Sequence, residues 1–178
     1  MSLKKELLEE FNRMENERVA VLNELKSHPA YKLVQKPNLG AWSVAEVVMH
    51  MVTAEGGALA YMRKKLEYGG HKRSSFGAAI KQRLLNLAIS VPIKYKAPKV
   101  ADIKPGESVS FDEASARWDE VRAGLIKEYQ AMDDETVGHE LFKHPAAGKM
   151  NVLQSVRFMR QHMNRHIKQM HNTIKSVS

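Results

Sequence analysis

The chain is 178 residues long, 43% hydrophobic and 27% charged, with no cysteine and a net charge of +8. That length supports one domain with a real core, no stretch approaches the roughly 18 apolar residues of a membrane span, and the first residues lack the apolar run and cleavage site of a secretory signal. The missing thiols exclude disulfides, a cysteine nucleophile and thiolate metal ligands, so any metal must rest on histidine and oxygen.

We therefore expect a single cytoplasmic domain over residues 1–178, with the first three, Met1-Ser2-Leu3, read as a cloning remnant. Helical periodicity begins at once. From Leu3 to Lys26, the series Leu7, Leu8, Phe11, Met14, Arg18, Val21, Leu22 and Leu25 recurs at three- and four-residue steps and stops before His28-Pro29. Ser43-Val44-Ala45-Glu46 is a capping box, in which the serine oxygen takes an orphan backbone N–H and the glutamate reaches back to the cap. It opens a second helix through Val47, Val48, Met51, Val52, Leu59 and Met62.

The connection that follows is too long for neighbouring antiparallel helices. This crossover, residues 66–109, lies in the basic part of the chain: residues 61–104 hold eleven Lys or Arg against two acids, a local +9 that leaves the remainder nearly neutral. Phe76, Ala79, Ile80, Leu84, Leu87 and Val91 suggest a short extra helix, and residues 91–106 read as extended loop. A basic segment suits nucleic acid, an anionic membrane surface, a negatively charged small substrate or plain solvation. Only Tyr61, Tyr68, Phe76 and Tyr95 interleave with its cations, without the repeated pattern that stacks single-stranded bases. Nucleic acid is therefore not an expected partner.

A third helix opens with Ser110-Phe111-Asp112-Glu113, read as a second capping box, and continues through Ala114, Trp118, Val121, Leu125, Tyr129 and Met132. After breaks at Gly138, Pro145 and Gly148, Asn151-Val152-Leu153-Gln154 caps a fourth, with the stripe Val156, Met159, Met163, Ile167, Met170 and Ile174. Four amphipathic helices with little strand signal predict an all-α four-helix bundle with a long crossover between helices two and three.

Three histidines carry the chemistry. His162 and His166 are spaced i, i+4, which puts both on one helix face. Relative to Met163 at the centre of the stripe they sit about 100° and 60° to the same side, flanking the core. His50 lies in a run of valine, methionine and alanine on helix two, where a polar ring needs a partner. A pair from one helix with a third imidazole from a facing helix gives three nitrogens around one ion and open positions for water or substrate. Eight histidines yield an i, i+4 pair by chance roughly a third of the time, so the setting decides. Glu46, one turn before His50, serves as cap and is a candidate to orient that ring. Gly56-Gly57 serves close packing or leaves room for a bound group, since glycine within a helix costs about 1 kcal/mol against alanine. His144, in a His-Pro turn, is better suited to bonding nearby backbone. His28, His71, His139 and His171 read as surface residues.

Trp42-Ser43-Val44-Ala45-Glu46-Val47-Val48-Met49-His50 resembles the helix-two motif of the DinB-like superfamily. Phe158-Met159-Arg160-Gln161-His162-Met163-Asn164-Arg165-His166-Ile167-Lys168-Gln169 resembles its last-helix motif, and His144-Pro145-Ala146-Ala147-Gly148 is similar to the loop before it. The resemblance covers essentially the whole chain in order. It implies a four-helix bundle with a long second crossover and a divalent metal held by three histidines, here His50, His162 and His166. The family includes metal-dependent transferases that act with low-molecular-weight thiols such as bacillithiol and mycothiol, beside many members of unknown activity. Its name reflects damage-inducible expression, not DNA chemistry.

The reading is a metal-dependent enzyme holding Zn²⁺ or Ni²⁺, both suited to imidazole, that joins a small thiol to an electrophile. Gly57 and the cations Lys72, Arg73, Lys81 and Arg83 are the expected substrate contacts. A metal-dependent hydrolase and a non-catalytic basic module with a structural metal are the competing readings. A second copy of the chain is a further expected partner, as a homodimer.

Overall fold

The computed structural model describes residues 2–69, 109–144 and 148–177, with the His144 side chain excepted. The bulk of the basic crossover, with the short helix expected over residues 76–91, the loop over 91–106, and Lys72, Arg73, Lys81 and Arg83, lies outside the described residues. So does His71.

Helix α1 (Leu3–Lys26) starts at Ser2, whose hydroxyl accepts the Lys5 N–H and donates to Asp134 at 2.9 Å. Ser2 thus works as a helix cap within the fold. The α1 stripe is buried as its spacing requires, Arg18 included, except for the half-buried Leu8. A five-residue helix, α2 (Ala30–Val34), follows Pro29 and buries Leu33. The capping box of α3 (Val44–Tyr68) is complete: Glu46 N donates to Ser43 Oγ at 3.2 Å and Ser43 N to Glu46 Oε2 at 2.9 Å. Helix α4 (Phe111–Ala131) keeps only half of the device expected there. Ser110 accepts the Glu113 N–H, but the Glu113 carboxylate turns outward to Arg117, one turn on, at 2.7 Å.

The four-residue α5 (Asp134–Val137) leads to a small hairpin that the sequence reading did not anticipate. β1 (Phe142–His144) pairs antiparallel with β2 (Gly148–Met150), Phe142 opposite Met150 and His144 opposite Gly148. Three-residue strands are too short to show an alternating pattern. Gly148 has φ +75°, a backbone that favours glycine. Helix α6 (Val152–Ser176) starts at the full Asn151/Gln154 capping box.

The four long helices form a ring in which α1 meets α6, α6 meets α3, α3 meets α4 and α4 returns to α1. Cross-helix partners give the directions. Glu55–Arg122 and Arg63–Glu128 advance together, so α3 and α4 run parallel. Glu6–Arg157 and Glu24–His171 make α1 and α6 parallel, whereas Arg18–Asp119 and Lys4–Gln130 set α1 against α4. The order is up, down, down, up. Consecutive parallel helices place the end of α3 and the start of α4 at opposite ends of the bundle, which is why about forty residues separate them.

No helix among the described residues is long and apolar enough to cross a membrane. The core unites Leu7, Met14 and Leu25 of α1, Val47, Val48, Met51 and Met62 of α3, Trp118, Leu125 and Tyr129 of α4, and Val156, Met163 and Met170 of α6.

Candidate metal centre

His50 enters from α3 and His162 and His166 from the antiparallel α6. The capping box fixes where α3 begins, and Val47, Val48 and Met51, all buried, fix its rotation. That rotation carries His50 inward, leaving it only 7% exposed. On α6, burial of Met159, Met163 and Met170 turns the i, i+4 pair towards α3, with His166 buried and His162 half-buried.

The ring nitrogens converge. His162 Nε2 lies 3.4 Å from His50 Nε2 and 3.1 Å from His166 Nε2, and a ligand nitrogen from each ring falls within 4.8 Å of the others. Nitrogens bonded at about 2.1 Å to a common ion stand roughly 3.0 Å apart at right angles and roughly 3.4 Å apart in a tetrahedron. The separations of His162 from His50 and His166, 3.4 and 3.1 Å, fall in that interval. His166 Nδ1 faces Gln169 Oε1 at 2.9 Å. An amide oxygen only accepts, so Nδ1 carries the proton and Nε2 is a bare lone pair aimed at the centre. Aromatic rings support two of the three imidazoles: Trp42 is 5.0 Å from His50, and Phe158 lies nearly parallel to His162 at 6.4 Å.

Electrostatics favour neutral rings at His50 and His166. Burial holds His50 below the ordinary histidine value. Burial, followed by the nearby His50 and Arg165, pushes His166 down to about 4 against the opposing Gln169 bond. Neutral imidazole is the form that binds a metal. The donor set, its spacing and the neutral state favoured at His50 and His166 therefore fit a divalent ion.

Glu46 does not orient His50. Burial would raise its carboxyl, but Lys36 at 2.7 Å and the Ser43 N–H outweigh that and hold it below the ordinary range. Both oxygens are thereby engaged, and His50 Nδ1 is buried with no hydrogen-bond partner among the described residues. Gly57 lies two turns beyond His50 and is exposed; a Cβ there would meet no described atom within 4 Å. The backbone of His144 lies in β1. His28, His139 and His171 are half-buried, His171 against Glu24 at 3.1 Å. Gln169 and Phe158 stood in the recognised motif without a role. The spacing from His166 to Gln169, three residues along one helix face, was the available signal for the first.

Fold and site define an all-α bundle of the up-down-down-up kind with a tri-histidine cluster able to hold a metal. The chain belongs to the DinB superfamily, which it matches over residues 11–170. It is 27% identical over 154 residues to the uncharacterized protein YuaE of Bacillus subtilis (strain 168), an alignment covering 86% of this chain and 90% of that protein. Its fold is similar to the crystal structure of TT2238, a four-helix bundle protein, with a TM-score of 0.56 at 20% identity over 95% of this chain and 98% of the other.

Proposed function

We propose that the protein is a metal-dependent transferase: His50, His162 and His166 hold one divalent ion, Zn²⁺ or Ni²⁺, and the centre serves transfer of a low-molecular-weight thiol to a small electrophile. The observation that carries this reading is the convergence of three Nε2 atoms at 3.1 and 3.4 Å. A bound divalent ion supplies a lowered pKa to a coordinated thiol, which starts near 8.5. The chain has no cysteine, so the sulfur must arrive with a cosubstrate. In the reaction proposed, the thiol sulfur forms a bond to the acceptor carbon, the leaving group departs with the bonding pair, and the thiol proton passes to solvent. The cytoplasm, where such thiols stay reduced, is the fitting compartment.

Metal-assisted hydrolysis uses a similar centre and commonly needs a general base beside the attacking water. Met163, Asn164 and Arg165 stand between the two α6 histidines. The cluster found among the described residues contains no carboxylate. A thiol, whose pKa starts near 8.5, needs less help from a base, and this favours sulfur. The preference among DinB-like activities rests on the family's thiol transferases. Gly57 and the cations Lys72, Arg73, Lys81 and Arg83 are proposed to receive the anionic thiol. The test is a panel of bacterial thiols with chloro-aromatic and epoxide acceptors, run beside ester and amide substrates with His162→Ala as the blank. Thiol-dependent consumption of the acceptor is expected; metal-dependent hydrolysis without thiol would overturn the assignment.

A further inference from the structure

We propose that Gln169 is a positioning residue of the metal centre: its side-chain carbonyl takes the Nδ1 proton of His166 and holds the Nε2 lone pair on the point where His50 and His162 meet. This rests on the metal reading of the same site and adds to it the group that sets the third ligand. Gln169 follows His166 by three residues on α6, so the two side chains are neighbours on one helix face. The Nδ1 to Oε1 distance is 2.9 Å. An imidazole offers its metal-binding lone pair at one nitrogen only when the other holds the proton, and the acceptor on that second nitrogen decides which is which.

His50 shows what happens without such an acceptor. Its Nδ1 is buried with no partner among the described residues, and its ring is steadied instead by Trp42 at 5.0 Å and by the core around it. His166 has the acceptor. The choice of an amide also matters. A carboxylate would hold the same proton, yet it would add a negative charge beside the centre, and glutamine leaves the full charge of a divalent ion available to an incoming anionic ligand.

The test compares wild type, Gln169→Leu and Gln169→Glu, each purified metal-free and titrated with Zn²⁺ against a chromophoric chelator and with Co²⁺ by visible absorption. Gln169 is half-buried near the helix end, and thermal melts of the metal-free proteins establish that all three fold. Gln169→Leu should bind Zn²⁺ about tenfold to a hundredfold more weakly and give an altered Co²⁺ ligand-field spectrum. Gln169→Glu, which keeps an acceptor on Nδ1, should bind at least as tightly as wild type and restore the spectrum. A loss of helix packing alone would not be rescued in this way. Equal Zn²⁺ affinity in wild type and Gln169→Leu, or an equal loss in both variants, overturns the role of Gln169 and leaves the metal centre standing. Wild-type protein that binds neither ion overturns both.

Discussion

Arg122 holds the carboxylate of Glu55 by two parallel bonds, Nε to Oε2 at 2.7 Å and Nη2 to Oε1 at 2.9 Å, where the two side chains are 3% and 1% exposed. Trp118 Nε1 donates to the same Oε2 at 2.8 Å, Glu15 accepts from Arg122 at 3.3 Å, and Arg122 Nη2 lies 3.4 Å from Met163 Sδ. The guanidiniums of Arg18 and Arg122 both lie over the Trp118 ring, 5.4 and 5.3 Å from its centre. One polar knot thus joins all four long helices.

Breaking that knot on one side strands a buried charge. Arg122→Met should lower stability by about 3–5 kcal/mol, because Glu55 loses its partner in a dry core. Glu55→Gln in the same chain removes the charge and keeps an acceptor for Trp118, so the double variant should recover more than half of the loss. Chemical denaturation measures both. A double variant no more stable than Arg122→Met would contradict this account of the knot.

The long helices, most of their caps and the shared face of His162 and His166 were legible in the sequence, because the α-helical period and the capping chemistry are local; that His50 meets them followed from the family resemblance, since it joins residues 112 apart. The knot was not legible. On α4, Val121 was read as part of the inward stripe, yet Arg122 is the fully buried neighbour and Val121 only half-buried. On α3, Glu55 is buried where the apolar series passed over it. A charge looks solvated until a partner more than sixty residues away is placed beside it, and that placement is a property of the assembled bundle. The half-formed cap at Ser110 has a similar cause, since Arg117 competes for Glu113 from one turn along the same helix.

Close packing falls on a different glycine from the one the sequence suggests. A Cβ on the half-buried Gly124 of α4 would stand 2.6 Å from Cδ2 of the buried Leu59 on α3, whereas at Gly56 it would meet Val121 Cγ2 at an ordinary 3.6 Å. Gly57→Ala, exposed on α3, should therefore raise stability by about 0.5–1 kcal/mol. Gly124→Ala should lower it by about 1 kcal/mol, overpacking exceeding the gain in helix propensity. Paired thermal melts decide it, and a stabilised Gly124→Ala protein would count against the close approach.

Acid should weaken the metal-free protein through its buried imidazoles. His50 and His166 have folded-state values below the ordinary 6.5, so between that value and about 4 the unfolded chain binds more protons than the folded one. The stability conferred by neutral His166 is full above 6.5 and is lost as pH falls towards 4, amounting to roughly 3 kcal/mol at most. In a His166→Gln variant the fall in melting temperature across that window should be shallower. Parallel slopes in the two proteins would show that His166 does not titrate as its burial requires.

The most direct test of the metal centre is elemental analysis of protein produced without an affinity tag or added metal, compared with the His162→Ala, His166→Ala double variant. The geometry of His50, His162 and His166 predicts about one Zn²⁺ or Ni²⁺ per chain in the wild type and near none in the double variant. Equal metal content in the two proteins would contradict the account.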